Sequence, residues 1–110
     1  MGCSSLRHFR FGKYIKLQYD SAQHLISAWT DHFLLEKSRL VHVDYDERNY
    51  HIFYQLLQGL SQEEREALHL SSDPEDYTML SQGECCVLED VDDEKEFREV
   101  VEALETLNVT

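Results

Sequence analysis

Six histidines, at positions 8, 24, 32, 42, 51 and 69, and three cysteines, Cys3, Cys85 and Cys86, are the side chains of this sequence most able to hold a metal or act as nucleophiles. A helical zinc site needs two histidines four residues apart, so that both imidazoles leave one face, and no pair here has that spacing. The neighbouring Cys85 and Cys86 lack a second C-x-x-C-like pair to complete a tetrahedral site, and as sequence neighbours they are poorly placed to bond to each other. The spacing therefore shows no metal site and no disulfide framework, which fits a reducing cytoplasm. No Ser-His-Asp or Cys-His hydrolase pattern stands out. The phosphate-loop pattern G-x-x-x-x-G-K-[ST] is also missing, so no segment offers the amides and lysine that cradle β and γ phosphates.

One other chemistry is suggested by Met1-Gly2-Cys3-Ser4-Ser5, followed by Arg7, Arg10, Lys13 and Lys16. A glycine and a cysteine beside basic residues could carry two acyl chains and make a membrane-anchored, non-enzymatic interaction module. The myristoylation pattern requires Ser or Thr at the sixth position, where this chain has Leu6. Membrane attachment is accordingly the alternative and not the main expectation.

The 22 acidic residues outnumber the 10 basic ones, for a formal charge of −12, which opposes association with a phosphate backbone. A nucleic-acid partner is not expected. The basic residues crowd the first twenty positions, whereas Glu84 to Glu105 is mostly acidic, as solvated faces are. With 42% hydrophobic and 29% charged residues the chain has a globular composition. No apolar run approaches the length of a membrane span.

Local patterns divide the sequence into elements. Residues 1–11 hold glycine, serines and basic residues without an apolar period and read as an irregular leader. From Lys13 to Asp20 the residues alternate, Ile15, Leu17 and Tyr19 on one face and Lys16 and Gln18 on the other, which describes a half-buried strand. The stretch from Ala22 to Leu35 fits either a helix through Leu25, Trp29 and Phe33 or a strand with Trp29, Phe33 and Leu35 on one face. A stripe of Tyr50, Phe53, Tyr54, Leu57 and Leu60 predicts a helix over 47–58. Ser61 with Glu64 forms a capping-box pattern for a helix ending near Leu68, Asp73-Pro74 opens a turn or helix, and an acidic first turn from Asp92 precedes Phe97, Val101 and Leu104 at helical spacing.

Three of these stretches together resemble the myosin motor domain: Phe11-Gly12-Lys13-Tyr14-Ile15, the run Phe33-Leu34-Leu35-Glu36-Lys37-Ser38-Arg39-Leu40-Val41, and the run Glu47-Arg48-Asn49-Tyr50-His51-Ile52-Phe53-Tyr54-Gln55-Leu56-Leu57. They occur in the family's order and without a gap from Gly12 to about Gly59. Glu63-Glu64-Arg65, Tyr77 with Leu80, Asp92-Asp93, Phe97 and Ala103-Leu104 are similar to the next part of the same head.

The resemblance implies an α/β fragment of a P-loop NTPase motor head: an antiparallel strand pair from its central sheet, at about 12–20 and 24–37, followed by three or more helices. It thereby selects the strand for Ala22 to Leu35. Residues 12–110 would be a partial motor domain, and 1–11 a leader carrying a degraded switch I loop. In the family that loop reads asparagine, any residue, asparagine, serine, serine, arginine, phenylalanine, glycine, lysine. Arg10-Phe11-Gly12-Lys13 matches its second half, but His8 and Phe9 stand where the serines belong, and both asparagines are absent. If the displaced Ser4 and Ser5 are the family's serines, they with Gly12 would meet the nucleotide and Ser5 would offer its hydroxyl to Mg²⁺, while Arg10 would close the pocket towards a switch II glutamate. The implied cofactors are ATP and Mg²⁺, the implied partners actin filaments and the remainder of a myosin heavy chain, and the implied location the cytoskeleton. A chain with neither phosphate loop nor switch II is expected to be inactive alone.

Because Leu6 breaks the acylation pattern, Gly2→Ala is expected to leave the distribution of the protein in cells unchanged. Incorporation of labelled myristate, or release from membranes on that substitution, would favour the anchored module.

Overall fold

A computed structural model of the chain describes residues 13–32 and 37–109, which fall into two compact units, a strand ribbon up to Lys37 and a helical unit from Ser38 onward. In the ribbon, β1 (Lys13–Tyr19) pairs antiparallel with β2 (Leu25–His32). Both segments are rich in the β-branched and aromatic residues that suit a pleated surface. Asp20 organises the turn between them: its Oδ1 accepts from the backbone N–H of Ala22 and of His24, each at 2.8 Å, and its Oδ2 lies 3.1 Å from His24 Nδ1. Gln23 completes the turn with φ near 64°, in the left-handed region. These bonds hold the Asp20 carboxyl below the usual carboxylate range, the His24 amide contributing most.

The register pairs Ile15 with Thr30, Lys16 with Trp29 and Leu17 with Ala28 before shifting between Gln18 and Tyr19. One face therefore carries Ile15, Leu17, Ala28 and Thr30, and the other Tyr14, Lys16, Gln18, Ser27, Trp29 and Asp31. On the second face Asp31 receives Trp29 Nε1 at 2.8 Å and pairs with Lys16 Nζ at 3.0 Å. The expectation of a half-buried strand is corrected here, since Ile15 is 49%, Leu17 52% and Trp29 66% exposed. Two strands bury little of either face without another layer. The second strand ends at His32, residues 33–36 lie outside the described residues, and Lys37 begins a 3₁₀ turn (Lys37–Leu40) and not the end of a strand.

The helical unit contains α1 (His51–Gly59), α2 (Gln62–Ala67), α3 (Thr78–Ser81) and α4 (Asp93–Thr106), with a further 3₁₀ turn at Pro74–Asp76. The start of α1 is later than the expected residue 47, because Glu47 to Tyr50 is committed elsewhere: Arg48 and Asn49 are buried, and the Asn49 backbone N–H donates to Tyr54 Oη at 2.9 Å. The starts of α2, of the second 3₁₀ turn and of α4 fall where expected, whereas α3 is not foreseen from the sequence. Ser61 and Glu64 form a reciprocal capping box, Asp73 accepts from Glu75 N at the 3₁₀ turn, and Asp92 accepts from Lys95 N at the start of α4. Arg65 of α2 reaches back to donate to the Leu57 and Leu60 carbonyls, satisfying the open end of α1.

Tyr54 and Leu57 of α1 form the core with Leu80 of α3, and Phe53, Leu70, Tyr77, Met79 and Cys86 pack around them. Cys85 is buried, and Cys86 carries a free thiol. The stripe of α4 is only partly used: Phe97 is half-buried against α1, but Val101 and Leu104 are exposed.

The α1–α4 contact depends on Gly59. A Cβ there would lie 2.1 Å from Phe97 Cδ1 and 2.5 Å from Phe97 Cβ, too close for a rotamer change alone to relieve. Gly59→Ala is therefore expected to destabilise the unit by about 1–3 kcal/mol despite alanine's better helix propensity. Chemical denaturation of wild type and variant checks this, and an equal or raised midpoint would refute the packing argument.

Candidate functional site

The residues expected to serve the nucleotide, Ser4, Ser5, Arg10 and Gly12, lie outside the described residues. The described polar groups instead converge on Arg48, which sits one turn before α1 and is 6% exposed. Its Nη1 and Nη2 donate to the two carboxylate oxygens of Asp93, each at 2.9 Å, in a bidentate pair, and its Nε donates to His51 Nδ1 at 2.8 Å. The guanidinium carbon lies 4.7 Å from the centre of the Tyr54 ring, adding a cation–π contact.

Each partner is delivered by its helix. Asp92 takes the capping position of α4, which leaves Asp93, the first helical residue, free to turn its carboxylate inward near the positive end of the helix dipole. His51 is the first residue of α1, three positions after Arg48. Because His51 Nδ1 accepts, its ring proton belongs on Nε2. Burial first and the Arg48 charge second hold His51 below the ordinary histidine value, against the opposing pull of Asp93 and Glu96.

A second layer of bonds fixes the backbone around the pair. Tyr54 Oη accepts from Asn49 N and donates to the Leu80 carbonyl at 2.9 Å, and Asn49 Nδ2 donates to the Met79 carbonyl at 2.9 Å. Burial pushes the Tyr54 hydroxyl above its usual value, so it remains a donor. Arg39 Nη1 donates to the Arg48 carbonyl and its Nη2 to Glu47 Oε2, both at 3.2 Å. Gln82 acts like a short piece of strand, donating to the Val41 carbonyl at 3.2 Å and accepting from Val43 N at 3.3 Å. Beside it, Gly83 leaves no room for a side chain, since a Cβ would lie 1.8 Å from the Glu47 carbonyl oxygen.

This arrangement is a closed clasp. The guanidinium and the carboxylate are committed to each other, and the Tyr54 hydroxyl to the Asn49 amide and the Leu80 carbonyl. Another feature among the described residues is an open depression of about 520 Å³ lined by Glu75, Ser81, Glu84 and Cys86. Burial, followed by the charges of Glu75 and Asp73, raises the Cys86 thiol above its ordinary value, which makes it a poor nucleophile at neutral pH. Among the described residues no three His, Cys, Asp or Glu side chains are placed to share a metal ion, and no helix is long and apolar enough to cross a membrane.

Sequence reasoning missed the Arg48–Asp93 pair, whose members are 45 positions apart. One signal pointed to it: Asp92-Asp93 offers two acids at a helix start where capping uses only one.

Breaking a buried pair leaves an uncompensated charge, whereas replacing both members with apolar groups removes two desolvation costs. Asp93→Asn is expected to cost about 3–5 kcal/mol, and Arg48→Met with Asp93→Leu to recover much of the loss. Denaturant midpoints of the two single variants and the double variant test this; additive losses would show that the two side chains are not coupled.

The family model for the myosin head (motor domain) matches residues 6–110. The chain is 44% identical to Myosin-52 of Schizosaccharomyces pombe over 91% of its length, 46% identical to the myosin-I heavy chain of Dictyostelium discoideum over 91%, and 44% identical to Myosin-2 of Saccharomyces cerevisiae over 92%. It spans only 7%, 4% and 6% of those three proteins respectively. With a family model covering nearly every residue, the chain belongs to the myosin head (motor domain) family.

Proposed function

We propose that this chain is a segment of an ATP-dependent, actin-based motor head, supplying the end of switch I and two strands of the central sheet, and that alone it does not turn over ATP. The observation that carries the reading is the family match over residues 6–110, set against the small share of each relative that the chain spans. In this reading residues 12–110 are the motor-domain part, and Arg10 to Lys13 close the switch I loop. Actin filaments and the rest of a heavy chain are the partners, in a cytoskeletal setting.

The donor set explains the expected inactivity. Mg²⁺ requires near-octahedral oxygen coordination, and the triphosphate needs a cradle of amides and a lysine. Against this the chain offers the hydroxyls of Ser4 and Ser5, one of them for Mg²⁺, the amide of Gly12 and the Arg10 guanidinium. These are too few to hold MgATP.

Two measurements test the proposal. The purified chain is expected to show no Mg²⁺-dependent ATP hydrolysis; turnover that disappears in Arg10→Ala would overturn its inactivity. Residues 12–109 grafted in place of the matching segment of the Myosin-52 head, with the host's own switch I retained, are expected to keep actin-activated turnover within about tenfold of the parent, a barrier change of about 1.4 kcal/mol. A folded chimaera without actin activation would refute the motor-segment reading.

A further inference from the structure

We propose that His51 makes the α1–α4 clasp sensitive to protons: with Nδ1 as an acceptor the Arg48–Asp93 pair is held closed, and protonation of that nitrogen loosens the start of α4 from α1. The inference concerns the helical unit only and does not depend on the motor reading.

Geometry carries it. Arg48 Nε donates to His51 Nδ1 at 2.8 Å while both terminal nitrogens are committed to Asp93, so the imidazole lone pair sets the angle at which the guanidinium meets the carboxylate. A proton on Nδ1 replaces that lone pair with a second donor facing the first, and adds a cation beside a buried one. The imidazole must then move away and leave Arg48 Nε without a partner, or stay and push the guanidinium off Asp93. Arg48 is buried, so water does not readily replace the lost acceptor. His51 as a residue keeps an exposed edge even though the ring is partly desolvated where it meets Arg48, so a proton can reach it with the core still closed.

Four charged groups bear on the imidazole. Arg48, from the segment leading into α1, and Arg39, from the 3₁₀ turn, oppose its protonation, while Asp93 and Glu96 of α4 favour it. Burial together with Arg48 prevails, and the folded value lies below the ordinary 6.5. The sign follows from linkage: the neutral imidazole's contribution is complete above 6.5, is lost as pH falls from there through the folded value, and falls no further below it. The clasp thus weakens on mild acidification, in the range where histidine serves as a switch.

The test uses the full 110-residue chain. Amide hydrogen exchange of residues 96–100 in α4 is measured at about pH 7.5 and 5.5 and corrected for intrinsic exchange, together with the Arg48 Nε–H resonance and a histidine NMR titration. In wild type, protection is expected to fall by about tenfold for each pKa unit by which His51 is depressed within that range, and the Arg48 Nε–H signal to disappear as His51 titrates. In His51→Asn, whose Oδ1 can accept from Arg48 but does not titrate here, protection is expected to persist at the lower pH. An equal loss in both proteins would overturn the proposal. So would an Arg48 Nε–H signal in wild type that survives protonation of His51, a readout that holds even if the variant does not fold.

Discussion

The helical unit is organised around the bidentate contact between Arg48 and Asp93, because a buried guanidinium tolerates few arrangements of its surroundings. Its two terminal nitrogens demand a carboxylate in one plane, its Nε demands an acceptor, and its face is covered by an aromatic ring. Meeting those demands at once fixes where α4 begins, how α1 is entered and which tautomer His51 holds. An ion pair of this kind contributes little net stability compared with apolar groups of the same shape, since both charges lose their water. Its effect is geometric: it determines one docking of α1 on α4, and the Gly59–Phe97 contact further along admits that docking by leaving out a side chain.

The backbone around the clasp is held in the same way. Tyr54 and Asn49 tie the lead-in of α1 to the carbonyls of Met79 and Leu80, and Gln82 ties the segment from Val41 to Val43 to the far side of α3. Side chains take over bonds that a sheet would otherwise make between main chains, so the long connection from the first 3₁₀ turn to α1 keeps its polar groups satisfied without regular structure. The described buried side-chain polar atoms all have partners.

The ribbon presents a different balance. Its inter-strand ladder, its turn at Asp20 and its charge pair on Asp31 are formed, yet Ile15, Leu17, Leu25, Ile26 and Trp29 remain about half exposed or more. Strand pairing satisfies the main-chain groups that face the partner strand but buries no face, and a ribbon gains its hydrophobic stabilisation only from a further layer. The exposed end of the α4 stripe, at Val101 and Leu104, leaves apolar surface in the same condition.

The sequence by itself determined the elements whose causes are local. Alternation marked β1, the serine and glutamate of the capping box set α2, and single aspartates placed the 3₁₀ turn at Pro74 and the start of α4. The family was legible because three segments stood in register, and the same likeness selected the strand at Leu25 to His32 where periodicity fitted a helix equally well. Only the tertiary structure decided what depends on residues far apart in the chain. Residues 47–50 look helical in isolation but are drawn out of α1 by the buried bonds of Arg48 and Asn49. The partner of Arg48 lies 45 positions away, and the fold alone brings it within reach. The alternating face of β1 is likewise written in its residues, but whether it is buried depends on a second layer, and periodicity carries no information about that layer.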